Sequence, residues 1–317
     1  TWLTRKIPMK ERLAVMDLGT NTFHLMVADV VDGKPSVVFR DRRPVKLGKG
    51  GINQGTIRED AIDRALDCMK SFQEQVDSLQ VSRSVAIGTS ALRSAANGQQ
   101  VLHAIRQATG IAVEVITGDK EAEYIYLGVR SAVDLGIAPA LIVDIGGGSV
   151  EFIIADRKSI QWKVSLDIGA QRLMEMYHRH DPMTEEERLA LTDHYRKALG
   201  PIAESVATWK PSTLVGSSGT FDTLSEIFCR RTGQVYLAAA PETPITIEAF
   251  RDIHQALISK DREGRMQIPG MIEMRVDMIV VASCLIAFLL DTYPFKKIRV
   301  SSYSLKEGVL ASFISKP

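Results

Sequence analysis

The sequence has few of the features that mark secreted or membrane-spanning proteins. Its three cysteines, Cys68, Cys229 and Cys284, stand far apart and form neither a CxxC pair nor an even disulfide framework, so a reducing cytoplasm is the simpler setting. The most apolar run, residues 278–290, is shorter than a bilayer span, and the N-terminal TWLTRKIPMKER lacks an apolar signal core. These absences predict a cytoplasmic protein with no membrane partner.

The chain also lacks a strong charge of either sign and several familiar catalytic motifs. A net charge of +1 argues against a protein that coats nucleic acid, so an anionic ligand has to be met by local design. GxxxxGK[ST], GxSxG and HExxH are absent, which argues against a P-loop, a serine-hydrolase elbow and a zinc-protease helix. With 45% hydrophobic and 24% charged residues over 317 positions, the composition fits a globular protein of two domains.

One hairpin pattern occurs twice in the chain. AVMDLGTNTFHLMVADV at 14–30 and LIVDIGGGSVEFIIADR at 141–157 each place an Asp-x-Gly turn between two apolar strands. Asp17 matches Asp144 and Gly19 matches Gly146, an offset of 144 − 17 = 127 residues. The repeat predicts two similar lobes.

Hydrophobic periodicity predicts alternating strands and helices, and therefore an α/β fold. After the first hairpin we expect a short strand at SVVF (36–39) followed by a basic, turn-rich connection. Further along, the patterns predict strands at 84–88, 112–116, 160–166, 212–216 and 297–301. They predict helices at 58–80, 97–110, 119–136, about 169–209, about 220–230, 272–290 and from Leu305 onward.

The composition of the two turns suggests that they bind phosphate. Glycine lets backbone N–H groups converge on an anion, while Thr, Asn and Ser add side-chain donors. A single Gly-rich turn is equally well explained as a tight hairpin, but two copies with an acid at the same place favour phosphate. A carboxylate beside phosphate is repulsive unless a divalent cation lies between them, and Mg²⁺ prefers such hard oxygen ligands. Asp144 is the candidate ligand, with Glu151 as a second one.

Together with these hairpins, four further segments resemble the exopolyphosphatase and guanosine-pentaphosphate phosphohydrolase family of the actin, sugar-kinase and heat-shock-ATPase superfamily. They are GTSALR at 88–93, GDKEAE at 118–123, GSSGT at 216–220 and MRVDMI at 274–279. The resemblance implies two ribonuclease H-like (actin-like ATPase) domains around an interdomain cleft. Domain I would comprise 1–124 plus about 303–317, with the last helix folding back on it, and domain II would comprise 125–302.

The same resemblance implies the roles of individual residues. Glu121 would be the base that activates water, and Arg93 would grip phosphoryl oxygens. Read without the resemblance, Glu121 is an acid in the first turn of a helix capped by Asp119, where such residues usually serve helix stability. Asp144 and Glu151 would hold the metal. The predicted phosphate-binding residues are Asp17, Gly19, Thr20, Asn21, Thr89, Ser90, Gly146, Gly147, Gly148, Ser149, Gly216, Ser217, Ser218, Gly219, Thr220 and Arg275.

The resemblance predicts a Mg²⁺-dependent exopolyphosphatase that releases orthophosphate from polyphosphate ends. Three alternatives stay open: a guanosine pentaphosphate 5′-phosphohydrolase, an actin-fold kinase, and a nucleotide-sensing module without catalysis. A homodimer is compatible with the resemblance, but no motif reveals the oligomeric state.

Two features of the sequence leave part of the expected site open. SSYSLKEG at 301–308 has Ser304 and Lys306 where the family commonly has Gly and Arg, which leaves the contacts of the last helix open. A basic segment is either a charge-protected strand edge or a guide for a polyanion. That segment comprises Arg40, Arg42, Arg43, Lys46 and Lys49.

Overall fold

The computed structural model describes residues 10–314, and within that range the chain forms two mixed β-sheets flanked by helices. Most of the N-terminal stretch TWLTRKIPMKER, in which no signal core was expected, lies outside the described residues. Among the residues that are described, no helix is both long and apolar enough to cross a bilayer.

The first sheet has the strand order β3-β2-β1-β4-β5. Its strands are β1 (Lys10–Leu18), β2 (Phe23–Val31), β3 (Lys34–Arg43), β4 (Arg83–Gly88) and β5 (Val113–Val115). The helices that follow in this part of the chain are α1 (Glu59–Ser78), α2 (Ser90–Ser94), α3 (Gly98–Thr109) and α4 (Gly118–Ala132). The turn-rich connection predicted for 40–51 begins later than expected, because residues 40–43 continue β3 and pair with β2 at the edge of the sheet, whereas turns form at 47–51.

The second sheet has the strand order β10-β11-β9-β6-β7-β8. Its strands are β6 (Ala140–Ile145), β7 (Val150–Ala155), β8 (Ile160–Leu166), β9 (Thr213–Ser217), β10 (Glu242–Thr243) and β11 (Lys297–Ser301). The helices of this half are α5 (Ala170–Tyr177), α6 (Glu185–Ala198), α7 (Gly200–Trp209), α8 (Gly219–Thr232), α9 (Ile247–Ser259), α10 (Arg262–Met266), α11 (Ile279–Thr292) and α12 (Leu305–Ile314).

The repeated hairpin is confirmed in both sheets. β1 pairs antiparallel with β2, and β6 pairs antiparallel with β7. Each turn closes with the same backbone hydrogen bond, from Gly19 N to Thr22 O and from Gly146 N to Ser149 O, both at 3.1 Å. The first strand of each hairpin then pairs in parallel with a later strand, β1 with β4 and β6 with β9. The two lobes therefore share one local plan.

Strand alternation points both acidic residues toward the space between the sheets. Successive strand residues face opposite sides, so Asp17 shares a face with Leu13 and Val15, and Asp144 shares a face with Ile142. These three apolar residues belong to one buried cluster drawn from both sheets and from α4 and α12. Each carboxylate therefore extends, at the end of its strand, a row of side chains that faces the other lobe.

The last helix, α12, packs against α4 and β1. The predicted domain boundary near residue 124 falls inside α4, a helix that contributes to the apolar cluster shared by both sheets. That boundary stays a prediction.

Two stretches of the second lobe differ from expectation. The sequence patterns predict no elements between residues 231 and 271, whereas β10, α9 and α10 lie there. The apolar helix expected at 272–290 begins only at Ile279, because residues 273–278 form turns. This correction matters for the site, since Arg275 lies in the turn region and not in the helix.

Candidate active site between the two hairpins

A polar cavity of about 110 Å³ lies where the two hairpin turns meet. Its walls are formed by the ends of β1, β6 and β9, by the start of α4 and by the loop before α12. Most of the predicted phosphate-binding residues line it. These are Asp17, Gly19, Thr20, Asn21, Thr89, Ser90, Gly146, Gly147, Gly148, Ser149, Ser218, Gly219 and Arg275, joined by the predicted base Glu121 and metal ligand Asp144.

The two turns approach each other so closely that only glycine fits at the centre. A methyl group at Gly148 would stand 2.5 Å from Ser90 Oγ and 2.6 Å from Thr20 Oγ1. One at Gly147 would stand 3.0 Å from Asn21 Nδ2. The prediction that the two turns converge is therefore confirmed, and the glycines of the second turn serve close approach to the first.

The acidic residues of the second hairpin are buried and hydrogen-bonded. Ser217 Oγ donates to Asp144 Oδ2 at 2.5 Å, and Ser165 Oγ donates to Glu151 Oε1 at 2.7 Å. Burial raises the pKa of Asp144, with Ser217 opposing the rise. Burial also raises the pKa of Glu151 well above its ordinary range, and the neighbouring Glu121 and Asp144 add to the effect. Removing these carboxylates from water without a cation is costly.

In the first hairpin, Asp17 has a buried oxygen that lacks a partner. Its Oδ1 makes no hydrogen bond among residues 10–314. Burial raises the pKa of Asp17 to about 7, with the nearby Lys306 lowering it and Asp144 raising it further. An orphaned, buried carboxylate oxygen at the edge of a polar cavity is a place where a ligand or a cation would supply the missing contact.

Glu121 projects into the cavity from the first turn of α4 and is only 7% exposed. Burial raises its pKa to about 7, opposed by the charge and the hydrogen bond of Arg93. The helix is capped by Thr117, whose side chain accepts from Lys120 N, and not by Asp119 as predicted. Thr117 takes this role because it precedes the first helical turn, whereas Asp119 already lies inside it.

Five predicted residues do not line the cavity: Arg93, Glu151, Gly216, Ser217 and Thr220. Arg93 lies behind Glu121, with Nη1 3.0 Å from Glu121 Oε2 and 2.9 Å from Ile116 O. Gly216 is needed for packing, since a methyl group there would stand 2.0 Å from the ring of Phe221. Glu151, Ser217 and Thr220 are buried behind the lining.

Arg275 reaches the cavity from the turns before α11 and crosses Gly219, where a methyl group would stand 2.2 Å from the guanidinium. Burial lowers the pKa of Arg275 to about 10, so the side chain keeps its charge at neutral pH. Its Nε is buried without a hydrogen-bond partner in the described part of the chain. A phosphoryl oxygen is a suitable partner for such a group.

Several lining residues were not predicted from the sequence because they come from distant segments. His24 lies directly opposite Asp17 in the β1–β2 pairing, and Arg42 comes from the edge strand β3. Asp222, Ser302 and Lys306 complete the wall from the second lobe and the last helix. Two signals were available: the offset of 127 places His24 where the second hairpin has Glu151, and Arg42 belongs to the basic segment for which guidance of a polyanion was one of two interpretations.

The donor set fits a hard cation only in part. Within the described residues, no three acidic, histidine or cysteine side chains converge closely enough to hold a metal alone. Asp144 and Glu151 are direct cross-strand neighbours, and Asp17 offers an unpartnered oxygen. Mg²⁺ usually keeps several waters and takes one or two carboxylates plus substrate phosphate oxygens, so the Asp144 and Glu151 pair is enough to hold it together with substrate.

Two mixed sheets with matching Asp-x-Gly turns, which close on a polar cleft lined by carboxylates and arginines, define an actin-like fold. The family model for the Ppx/GppA phosphatase family matches residues 26–316, and the chain therefore belongs to that family. The match confirms the resemblance inferred from the sequence motifs.

Solved structures with this fold cover nearly the whole chain. A crystal structure of an exopolyphosphatase from Cytophaga hutchinsonii ATCC 33406 is 43% identical, covers 96% of this chain and 98% of its own, and has a TM-score of 0.93. The Aquifex aeolicus member of the Ppx/GppA family is 27% identical, with coverages of 96% and 98% and a TM-score of 0.79. These likenesses confirm the predicted fold class of two actin-like domains.

A curated relative differs from this chain in length. The guanosine-5′-triphosphate,3′-diphosphate pyrophosphatase of Photobacterium profundum is 29% identical over 309 residues. The match covers 98% of this chain but 60% of that protein, so the chain spans about three fifths of the relative's length.

Proposed function

We propose that this protein is a Mg²⁺-dependent exopolyphosphatase, which hydrolyses the terminal phosphoanhydride of polyphosphate and releases orthophosphate. The observation that supports this most is Glu121, a buried carboxylate with its pKa raised to about 7 that faces both hairpin turns. A general base works best when its pKa lies near the operating pH. Glu121 thus has both the position and the basicity to take a proton from water.

Substrate binding in this proposal relies on the two turns and on Arg275. The backbone N–H groups of the glycine turns and the hydroxyls of Thr20, Ser90 and Ser149 surround the terminal phosphate. Arg275, which has a buried and unpartnered Nε, binds an oxygen of the same phosphate. The side chains are held in place beforehand by packing and by turn hydrogen bonds, so little reorganisation is required during reaction.

Glu121 accepts the proton of the attacking water through a carboxylate that Arg93 keeps in place. The ion pair of 3.0 Å fixes one oxygen of Glu121 and leaves the other free to bind water. Water held there attacks the phosphorus in line with the leaving phosphate. Arg93 then acts first on the orientation of Glu121, and its predicted direct grip on phosphate requires the side chain to turn toward the cavity.

Mg²⁺ would be held by Asp144 and Glu151, with Asp17 completing its surroundings. When bound, the ion neutralises phosphate charge and supplies a Lewis acid. Ser217 and Ser165 orient the two carboxylates through the hydrogen bonds described above. The three unpaired cysteines fit the cytoplasmic location that we propose along with this activity.

The second candidate is a guanosine pentaphosphate 5′-phosphohydrolase. It is favoured by the curated relative from Photobacterium profundum, whose name describes a pyrophosphatase of that nucleotide. Both substrates end in a phosphoanhydride, so the same base, turns and arginines serve either reaction.

Phosphate release measured side by side from long-chain polyphosphate, guanosine pentaphosphate and ATP, with Mg²⁺ and with EDTA, tests the proposal. We expect Mg²⁺-dependent release that is fastest from polyphosphate. Faster release from guanosine pentaphosphate would establish the second candidate. Acceptor-dependent conversion of ATP to ADP without release of orthophosphate would indicate a kinase, and binding without turnover would indicate a sensing module.

The matched pair Glu121→Gln and Glu123→Gln tests the base. Both residues lie in α4, but Glu123 forms surface ion pairs with Lys120 and Lys163 away from the cavity. Glu121→Gln should lose about a hundredfold or more in kcat and keep substrate affinity, whereas Glu123→Gln should retain wild-type kcat. Wild-type turnover by Glu121→Gln would refute the assignment.

A further inference from the structure

A second cavity of about 320 Å³ adjoins the candidate active site. The two cavities share five lining residues, so they lie side by side, and the two together are called the passage below. These residues are His24, Arg42, Asp222, Ser302 and Lys306. Beyond them, the second cavity runs between the edge strand β3 and the first turns of α8, past Arg40 and Tyr236.

Two cations at the junction are poorly compensated. Arg42 is exposed, and within residues 10–314 its guanidinium makes no ion pair, whereas the neighbouring Arg43 is bound to Asp41 at 2.9 Å. Lys306 lies 3.4 Å from Glu307 Oε2, but that carboxylate already accepts from Arg40 at 2.9 Å and from Ser304 N at 2.9 Å. Arg42 and Lys306 therefore retain charge for a ligand.

The acids that line the second cavity do not cancel these cations. Asp41 is bound to Arg43, and Glu226 is bound to Arg230 at 3.2 Å. Asp222 is the remaining acid of this cavity; burial raises its pKa to about 6, opposed by the charges of Lys306 and Arg275, and its Oδ1 has no hydrogen-bond partner within residues 10–314. In this wall two cations, and a buried Ser302 hydroxyl that lacks a partner among the same residues, thus face one carboxylate. Such a wall suits an anion.

The passage also leads in the direction that the reaction requires. Glu121 lines the first cavity and is absent from the lining of the second. In-line phosphoryl transfer places the attacking oxygen and the leaving oxygen on opposite sides of the phosphorus. Water held by Glu121 therefore directs the leaving group away from the Glu121 carboxylate, and the second cavity, which Arg42 and Lys306 line and Glu121 does not, offers space for it.

Building on the proposed function, we propose that the second cavity is a binding subsite for the oligophosphate on the leaving side of the scissile bond. Arg42 and Lys306 bind its non-bridging oxygens, and Ser302 donates a further hydrogen bond. The ligand chemistry is a phosphoanhydride-linked chain of several phosphates, which either inorganic polyphosphate or a nucleotide 5′-oligophosphate supplies.

Binding to a Glu121→Gln background tests the subsite without depending on turnover. Calorimetric Kd values in Mg²⁺ would be measured for pyrophosphate, tetrapolyphosphate and guanosine pentaphosphate. In this background, Arg42→Gln is compared with Lys49→Gln. Lys49 belongs to the same basic segment but lines a different cavity, beside Asn21 and Gln171.

We expect Arg42→Gln to raise the Kd of tetrapolyphosphate about tenfold, as loss of a hydrogen bond to a charged group does. The Kd of pyrophosphate should change far less, because pyrophosphate ends before the subsite, and Lys49→Gln should affect neither. An equal effect of Arg42→Gln on both ligands, or none on either, would overturn the proposal. Lys306→Gln should reproduce the same preference for the longer ligand.

The ligands also separate the two sources of the oligophosphate. Weaker binding of tetrapolyphosphate alone would assign the subsite to the inorganic chain, whereas a matching loss for guanosine pentaphosphate would show that it takes the nucleotide's phosphates as well. Turnover by the otherwise wild-type protein is measured separately. Absence of turnover with Arg42-dependent binding intact would reject the proposed function and keep the subsite.

Discussion

Gly148→Ala should separate the two hairpin turns and thereby disable the site while leaving the fold intact. The added methyl group would stand 2.5 Å from Ser90 Oγ, 2.6 Å from Thr20 Oγ1 and 2.8 Å from Ser90 Cβ. A serine hydroxyl can rotate away, but Cβ cannot. Ordinary contact begins at 3.4 Å, so either the turn that carries Gly148 or the start of α2 that carries Ser90 has to move by about 3.4 − 2.8 = 0.6 Å.

That displacement falls where it affects the reaction most. Ser90 is 2% exposed and Thr20 is 3% exposed, so neither has free space to move into. A misplacement of about 1 Å costs roughly a hundredfold in rate when reacting groups are held in a fixed geometry. We therefore expect kcat/KM for phosphate release to fall by roughly ten- to a hundredfold.

Gly200→Ala provides the matched control, because a methyl group there meets nothing within 4 Å and Gly200 begins helix α7. Kinetics of phosphate release from polyphosphate would be measured for both variants, with thermal unfolding to show that each is folded. Overpacking at Gly148 should cost about 1–3 kcal/mol of stability. A folded Gly148→Ala protein with wild-type kcat/KM would show that close contact of the turns is not needed.

Three further outcomes follow from the buried groups of the cleft. The pKa of Glu121 is raised from 4.5 to about 7, and a general base must be ionised to act, so kcat/KM should fall tenfold per pH unit below about pH 7. A fall that begins only near pH 4.5 would contradict this role. Asp17→Asn should raise the free energy of unfolding at pH 8, measured in urea without Mg²⁺, by roughly 1–2 kcal/mol while lowering activity. The sign follows because the folded-state pKa of Asp17 is raised from 3.8 to about 7, so the folded protein loses stability as the pH rises from about 4 to 7 and Asp17 ionises. An unchanged free energy of unfolding would show that burial of the ionised carboxylate does not destabilise the fold. Ser217→Ala should raise the Mg²⁺ concentration needed for half-maximal activity about tenfold, because Asp144 loses the hydrogen bond that orients its carboxylate. An unchanged Mg²⁺ requirement would show that Asp144 is not a metal ligand.

Elements whose signals are local could be predicted from the sequence. The strands Ile160–Leu166 and Lys297–Ser301 begin and end where the pattern placed them, because apolar alternation and flanking turn residues define their ends. The two hairpins followed from the repeat. Successive residues of a strand point to opposite faces of the sheet, which determines the face on which each carboxylate lies. The positions of the two hairpins are therefore enough to predict most of the centre of the site.

The missed helix α9 had a usable signal. Thr246 accepts a hydrogen bond from Ala249 N as its cap, and Phe250, Ile253 and Leu257 follow at helical spacing. The start of α11 was harder to predict. Apolar residues continue from Met274 through the turns into the helix, so periodicity alone does not reveal that the helix starts later.

The residues of the outer wall could not be read from local patterns. Arg42 and Lys306 are separated by 264 residues in the chain and meet only because β3 is the edge strand and α12 returns to the first lobe. A charged residue on a strand edge usually protects that edge, and nothing in its neighbours distinguishes the rarer role. Such residues become visible only when the tertiary fold is known.

The two hairpins also differ in a way that assigns them different tasks. Asp17 is paired across its hairpin with His24, whereas Asp144 is paired at the same place with Glu151. Burial and the nearby Lys306 lower the pKa of His24 well below its ordinary value, so the imidazole is neutral. At this pair of positions the first hairpin therefore has one acidic residue, whereas the second has two. A divalent cation is attracted more strongly to the pair of carboxylates. In the proposed function, the second hairpin is therefore the one to which we assign Mg²⁺, and the turn of the first is assigned to phosphate.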